Sequence, residues 1–215
     1  MSATTNKNGT PTVRKRRTQK RAEIARSNII QAAIPMFAEQ GFDAISVSNI
    51  ETAANVKRGI LAYHFGSKEE LWKTVADTMF EKLIDKLEQR LELLKELSER
   101  EGIAFLIRFH VHYYAEHPEL SRLMSQEARQ KSWRIQYLVD KHKLPGVMQM
   151  EKYITAGLGL TKVEYAHWYY IMVSASATIF SFEHECELLF GFNPREAEAV
   201  TKHAEMLVSR LLPVR

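Results

Sequence analysis

The sequence predicts an all-α fold of about nine helices, divided into a small N-terminal three-helix unit and a larger helical body. Three observations carry this. Apolar residues recur at three- and four-residue spacings, the period of a helix with one buried face. Helix-start signatures punctuate the chain. Sustained period-two alternation is missing, and no Asn-Gly or Asp-Gly turn joins two alternating runs, so strands have no signal.

In chain order, residues 1–13 are rich in Thr, Asn, Ser, Gly and Pro and cannot bury enough surface to offset chain entropy. They lead into Arg14-Lys15-Arg16-Arg17, and residues 1–17 are expected to form a disordered basic arm. From Thr18 onward, Ile24, Ile29, Ile30, Ala33, Ile34, Phe37 and Ala38 define an amphipathic helix that Gly41 ends. Ser48 with Glu51, and Ser67 with Glu70, have capping-box spacing and open two further helices. The second is a long helix, about 68–98, with Leu71, Val75, Met79, Leu83, Leu87, Leu91 and Leu94 along one face. Proline at 118 makes His117 a boundary, and Leu144-Pro145-Gly146 should kink or split a helix. Thr161 with Glu164, and Asn193-Pro194 with Glu196, start the last two helices, about 161–190 and 194–212.

Composition narrows the class. With 45% hydrophobic and 26% charged residues among 215, the chain reads as an ordinary globular protein. Its longest apolar stretch, 165–182, is broken by His167, Ser174, Ser176, Thr178 and Ser181, so a buried helix explains it better than a membrane span. A secretory signal is missing and Cys186 is the single cysteine, so a reducing, cytoplasmic setting is expected. Charge is unevenly placed. Residues 1–68 hold 11 Lys/Arg against 4 Asp/Glu, and residues 69–215 hold 19 against 22. A basic head on a weakly acidic body suits a polyanionic partner.

Residues 46–65 read as two short helices around a tight turn at Asn55, which has helix-turn-helix spacing. Ile50, Ala54, Val56, Ile60 and Leu61 would form the small core between them, and the second helix would expose Lys57, Arg58, Gly59, Tyr63 and His64. In such a unit the second helix enters the DNA major groove, and a glycine there permits close approach. The chain from Ile29 to Val75 resembles the tetracycline-repressor (TetR) family. The resemblance rests on Ile30-x-x-Ala33, Phe37-x-x-x-Gly41-Phe42, Ser46, Ile50, Ala54 to Leu61, Tyr63-His64-Phe65-x-Ser67-Lys68-Glu69 and Leu71. It implies that Ser46 or Ser48 holds phosphate, that Lys57, Arg58 and Gly59 face bases, and that Tyr63, His64 and Lys68 hold the DNA backbone. Arg14, Arg16 and Arg17 would add a minor-groove contact. Lys57 stands where the family usually has Ser or Thr, Asn55 where it has glycine, and Ala62 where it often has tyrosine, so the operator sequence does not carry over.

The body is rich in aromatics and methionines with polar groups such as His110, Glu127 and Arg134 among them. An apolar pocket with a few polar anchors is what small-ligand binding needs, and the expected lining is Phe109, Tyr113, Met124, Glu127, Trp133, Tyr137, Tyr169 and Met172. The last two helices are the expected dimer interface, through Val163, Tyr170, Val173, Ala177, Phe180, Met206 and Leu207. Enzyme chemistry finds no support: His110 and His112 point to different faces, and Glu183 to Glu187 matches no standard zinc spacing. No catalytic residue, metal or cofactor is expected. Residues 18–66 are thus expected to be the DNA-binding domain and 67–215 the sensing and dimerisation domain. The expected function is that of a ligand-responsive repressor binding a palindromic operator as a homodimer. Control by a protein partner, or action as an activator, is the alternative.

Overall fold

Helix α1 (Val13–Gln40) starts five residues before the expected boundary, so 13–17 belong to its backbone and not to a separate arm. The computed structural model describes residues 13–94 and 97–212, with side chains from 19 to 90 and from 97 to 212. The expected tail, and the side chains of Arg14, Arg16, Arg17, Leu91 and Leu94, lie outside the described residues. Ile29, Ile30, Ala33, Ile34, Phe37 and Ala38 are buried as the stripe requires, whereas Ile24 is 51% exposed. Gly41, at φ 79°, ends the helix, its N–H bonding the Phe37 carbonyl.

Among the described residues eleven α-helices and no strand are present. After α1 come α2 (Val47–Ala53), α3 (Ile60–Phe65) and α4 (Lys68–Leu94), then α5 (Glu99–Glu116) and α6 (Pro118–Glu127). A capping box of Ser98 and Glu101 starts α5, and Pro118 in the first turn of α6 fixes the break at His117. Next, α7 (Trp133–Leu138) runs without a break through a π-turn (Val139–Lys143) into α8 (Leu144–Leu158). Pro145 explains the π-turn: its ring would strike the carbonyl four residues back in a regular α-helix, and widening lets the Leu144 N–H bond Val139 O instead.

The expected penultimate helix is two, α9 (Lys162–Ser181) and α10 (Glu183–Phe190), parted at Phe182. Thr161 and Glu164 form the expected capping box on α9. The last helix, α11 (Ala197–Leu211), starts three residues later than expected, because Asn193 Oδ1 accepts from Arg195 N at 2.8 Å and holds a turn there.

One buried cluster runs from the α1 stripe through Trp72 of α4 to Ile107 of α5, Leu120 of α6 and Met172 of α9, so head and body share a core. Helix α5 is its axis, packed on α6, α8, α9 and α11, while α1 packs on α6. Among the described residues no helix is long and apolar enough to cross a membrane. Three expected interface residues are corrected by this packing. Ala177, Phe180 and Leu207 point into the protomer, and Val173 is half-buried; the outer face of α9 carries Val163, Tyr170 and Ile171, with Met206 exposed on α11. A patch with no counterpart among the expected interface residues, Leu188, Leu189, Phe190 and Phe192, lies exposed at the end of α10.

Candidate nucleic-acid interface and internal cavity

The head is built around a carboxylate. Ser46, not Ser48, caps α2: its Oγ accepts from Asn49 N at 3.1 Å and Asn49 Oδ1 accepts from Ser46 N at 3.1 Å. Glu51 is thereby free of the capping box expected for it and turns inward, only 4% exposed. Its Oε1 accepts from Gly59 N at 2.8 Å and Leu61 N at 3.0 Å, satisfying two donors at the start of α3.

The chain between α2 and α3 reverses through two left-handed residues, Asn55 at φ 53° and Gly59 at φ 88°. Gly59 caps α3, so Lys57 and Arg58 lie in the turn before the helix instead of within it. A Cβ at Gly59 would meet nothing within 4 Å, so the glycine serves the backbone conformation itself. Ser46, Ser48, Lys57, Arg58, Gly59 and Tyr63 are all exposed, Tyr63 at 78%, and His64, half-buried, packs edge-on against the Tyr63 ring.

Lys68 corrects an expectation. Its Nζ donates to the carbonyls of Phe42 and Ile45, both at 2.9 Å, and stands 4.1 Å from the Phe42 ring centre. It clamps the α1–α2 turn and is not a free phosphate donor. On the other face of that turn, Arg134 of α7 stacks on Phe42 at 4.7 Å, pairs with buried Glu127 at 2.7 Å and reaches Asp43 at 3.3 Å. Burial pushes the Glu127 carboxyl above its ordinary value, and the guanidinium only partly offsets this.

The body holds a cavity of about 350 Å³ between α4, α5, α6, the π-turn, α8 and α9. Met124 and Tyr169 line it as expected. The other expected residues do not. Phe109, Tyr113 and Met172 are buried in the core, with Tyr113 Oη donating to Met79 O at 3.2 Å. Glu127 belongs to the Arg134 pair, and Trp133 packs edge-on against Trp72 and Phe42. Tyr137 Oη donates to Asp77 Oδ1 at 2.8 Å.

The cavity wall is instead Leu83 and Leu87 of α4, His110 of α5, Val147 and Met150 of α8, and His142 and Lys143 of the π-turn. Burial lowers the His110 pKa, and its Nδ1 lies 2.7 Å from Leu106 O, so the neutral ring donates from that nitrogen. His142 stacks on Phe80 at 4.7 Å and bonds Asp77 of α4 at 2.7 Å. Burial opposes ionisation of Asp77, but hydrogen bonds from Lys141, Tyr137 and His142 outweigh it and hold the carboxyl below its ordinary value. A larger surface cleft, about 450 Å³, runs past His112, Glu116, Glu183 and Arg195. It is more open and proportionally more polar, and its Arg195 already bonds Ala115 O at 2.8 Å and pairs with Glu183, so the less open, more apolar cavity is the better candidate for a ligand site.

A profile of the bacterial regulatory proteins of the tetR family matches residues 29–75, and one of the tetracyclin repressor-like C-terminal domain matches residues 100–210, more than half of the chain. The chain belongs to the TetR family. Among curated relatives, the HTH-type transcriptional repressor NicS of Pseudomonas putida is 31% identical over 107 residues, 49% of each chain. The chain thus matches about half the length of that relative. Two solved structures share the fold: a putative fatty acid metabolism regulator of Clostridium perfringens (TM-score 0.68, 21% identity, 86% of this chain and 96% of that one), and AibR in complex with isovaleryl coenzyme A and operator DNA (TM-score 0.63, 15% identity, 89% and 100%). The first profile falls on the head and the second on the body.

Proposed function

We propose that this chain is a transcriptional repressor that binds operator DNA as a homodimer through α2 and α3 and lets go when a small molecule fills the body cavity. The observation that carries the reading is the exposed Lys57-Arg58-Gly59 turn, held by Glu51 on a head with a net charge of +7 (11 Lys/Arg less 4 Asp/Glu over residues 1–68). Side chains at that end of a recognition helix reach base edges, while serines and further basic groups meet phosphates. Val163, Tyr170 and Ile171 of α9, Met206 of α11 and the patch at the end of α10 supply an apolar face for a second copy. AibR, recorded with both an acyl thioester and operator DNA, supports the pairing of the two sites.

Named side chains join the two sites. Ligand against the π-turn shifts His142 on Asp77 of α4, and α4 carries the Lys68 clamp on the α1–α2 turn of the head; Arg134 ties that same α1–α2 turn to α6 and α7. Both contacts bias one head position, and a dimer reads DNA only when its heads stand one helical turn apart, about 34 Å.

The reading is tested by titrating duplex DNA at rising salt. Binding that neutralises several phosphates weakens linearly on a log–log plot, with a slope of about 0.9 per phosphate neutralised. Replacing Lys57 and Arg58 by Ala is expected to lower the slope by about 1 for each phosphate that these two side chains neutralise. Arg14, Arg16 and Arg17 to Ala reports the contribution of the basic segment in the same way. A flat salt dependence of the unmodified protein excludes a DNA-binding role.

A further inference from the structure

The cavity has a charge signature that its apolar lining conceals. No aspartate or glutamate is among its lining residues, and its one obligate cation is Lys143. Among the described residues the Lys143 ammonium makes no ion pair and no hydrogen bond; its Nζ has the face of Tyr169, 5.7 Å to the ring centre. A half-buried ammonium left in this state is costly, and burial accordingly lowers its pKa. The neighbouring residues show how unusual this is. Lys141, two residues earlier on the same π-turn, bonds both Asp77 Oδ2 at 2.8 Å and Tyr137 Oη at 2.9 Å.

The lining is mostly apolar, with Leu83, Leu87, Met124, Val147 and Met150 among it; side-chain hydroxyls are its other polar groups beside Lys143 and the two histidines, and it offers no carboxylate to pair a cationic ligand. The volume, about 350 Å³, lies at the small end of ligand sites. An anion with an apolar body completes both halves of such a site. A cation would bury a second positive charge beside the first, and a neutral molecule would leave Lys143 as it is.

We infer that the cavity binds a small organic acid, its carboxylate on Lys143 Nζ and its apolar chain or ring against α4 and α8. The inference rests on reading this cavity as the effector site. Lys143 adjoins His142, which bonds Asp77 of α4, so an acid drawn to Lys143 acts on the segment through which the body holds the head.

The test uses the full chain and three molecules with one eight-carbon body: octanoate, octanol and octylamine, with octanoyl coenzyme A as a fourth arm. Calorimetric titration without DNA is expected to rank octanoate first and to show no binding of octylamine. Lys143→Met is expected to weaken octanoate by about ten- to hundredfold, the worth of one hydrogen bond to a charged group, while leaving octanol unchanged. The octanol arm establishes that the variant's cavity is folded. Equal octanoate affinity in Lys143→Met, preference for octylamine or octanol, no binding of the acid, or binding of the thioester alone would each overturn the inference. Failure of the effector reading looks different: octanoate then binds in a Lys143-dependent way and leaves DNA affinity unaltered.

Discussion

Glu51→Leu is expected to weaken operator binding by at least about a hundredfold while the helical body stays folded. The side chain is buried in the head, and its Oε1 is the acceptor for the Gly59 and Leu61 amides. Hydrogen bonds to a charged acceptor are worth about 1.5–3 kcal/mol each, and buried amides left without a partner cost more than a bond never made. Leucine fills a similar volume but accepts nothing, so the left-handed Gly59 turn loses the group that fixes it. Lys57 and Arg58 then present themselves in many arrangements, and sequence reading falls away before the fold does. A loss of about 3 kcal/mol corresponds to roughly two decades in affinity. Glu51→Gln keeps one oxygen acceptor and is expected to recover most of the binding. Fluorescence anisotropy on an operator fragment, with thermal unfolding beside it, reads both effects; normal binding by Glu51→Leu would mean that the turn holds itself.

The second large effect is expected from Arg134→Met, which should destabilise the protein by about 3 kcal/mol or more at neutral pH. Removing one member of a buried ion pair leaves the other charge uncompensated, and such changes cost about 3–5 kcal/mol. Glu127 is 3% exposed and has no other cation beside it among the described residues. Its carboxyl titrates above the ordinary 4.5 because burial disfavours the charged form. A raised folded-state pKa gives stability that is complete below 4.5 and is lost as pH rises through the folded value. Without Arg134 that pKa climbs further, so the defect is expected to be smallest near pH 4.5 and to grow as pH rises through the folded value. Adding Glu127→Gln should restore much of the loss, since no buried charge is then left. Chemical denaturation across that pH range checks the sign: a defect that shrinks as pH rises would show that the Glu127 charge is not its source.

Much of the fold was legible because its signals are local. The α1 stripe, the Thr161–Glu164 box and the break before Pro118 each rest on residues within a turn or two of one another. Glu51 escaped because its partners lie eight and ten residues further on, across the turn, while its spacing from Ser48 mimics a cap. Lys57 and Arg58 read as helix because nothing in residue type marks Gly59 as a left-handed cap instead of a weak helical position.

In the body the difficulty is of another kind. Helix α9 is apolar on every side, so periodicity cannot say that Phe180 faces inward and Tyr170 outward. Tyr113 is the same residue type as its neighbour Tyr114, and only the packing of α5 on its neighbours decides that Tyr114 meets the cavity and Tyr113 does not. Lys143 carried no signal: a lysine two residues before a proline reads as solvated surface until the π-turn places it on the cavity wall.

The most direct measurement is selection of bound duplexes from a random-sequence pool by the purified protein, followed by sequencing. A homodimeric helix-turn-helix repressor is expected to enrich an inverted repeat with half-sites spaced by one turn of the double helix, about 10 base pairs, and the variant lacking Lys57 and Arg58 is expected to enrich none. Enrichment of no sequence by the unmodified protein, or of a site without two-fold symmetry, would contradict operator binding by a dimer of this head.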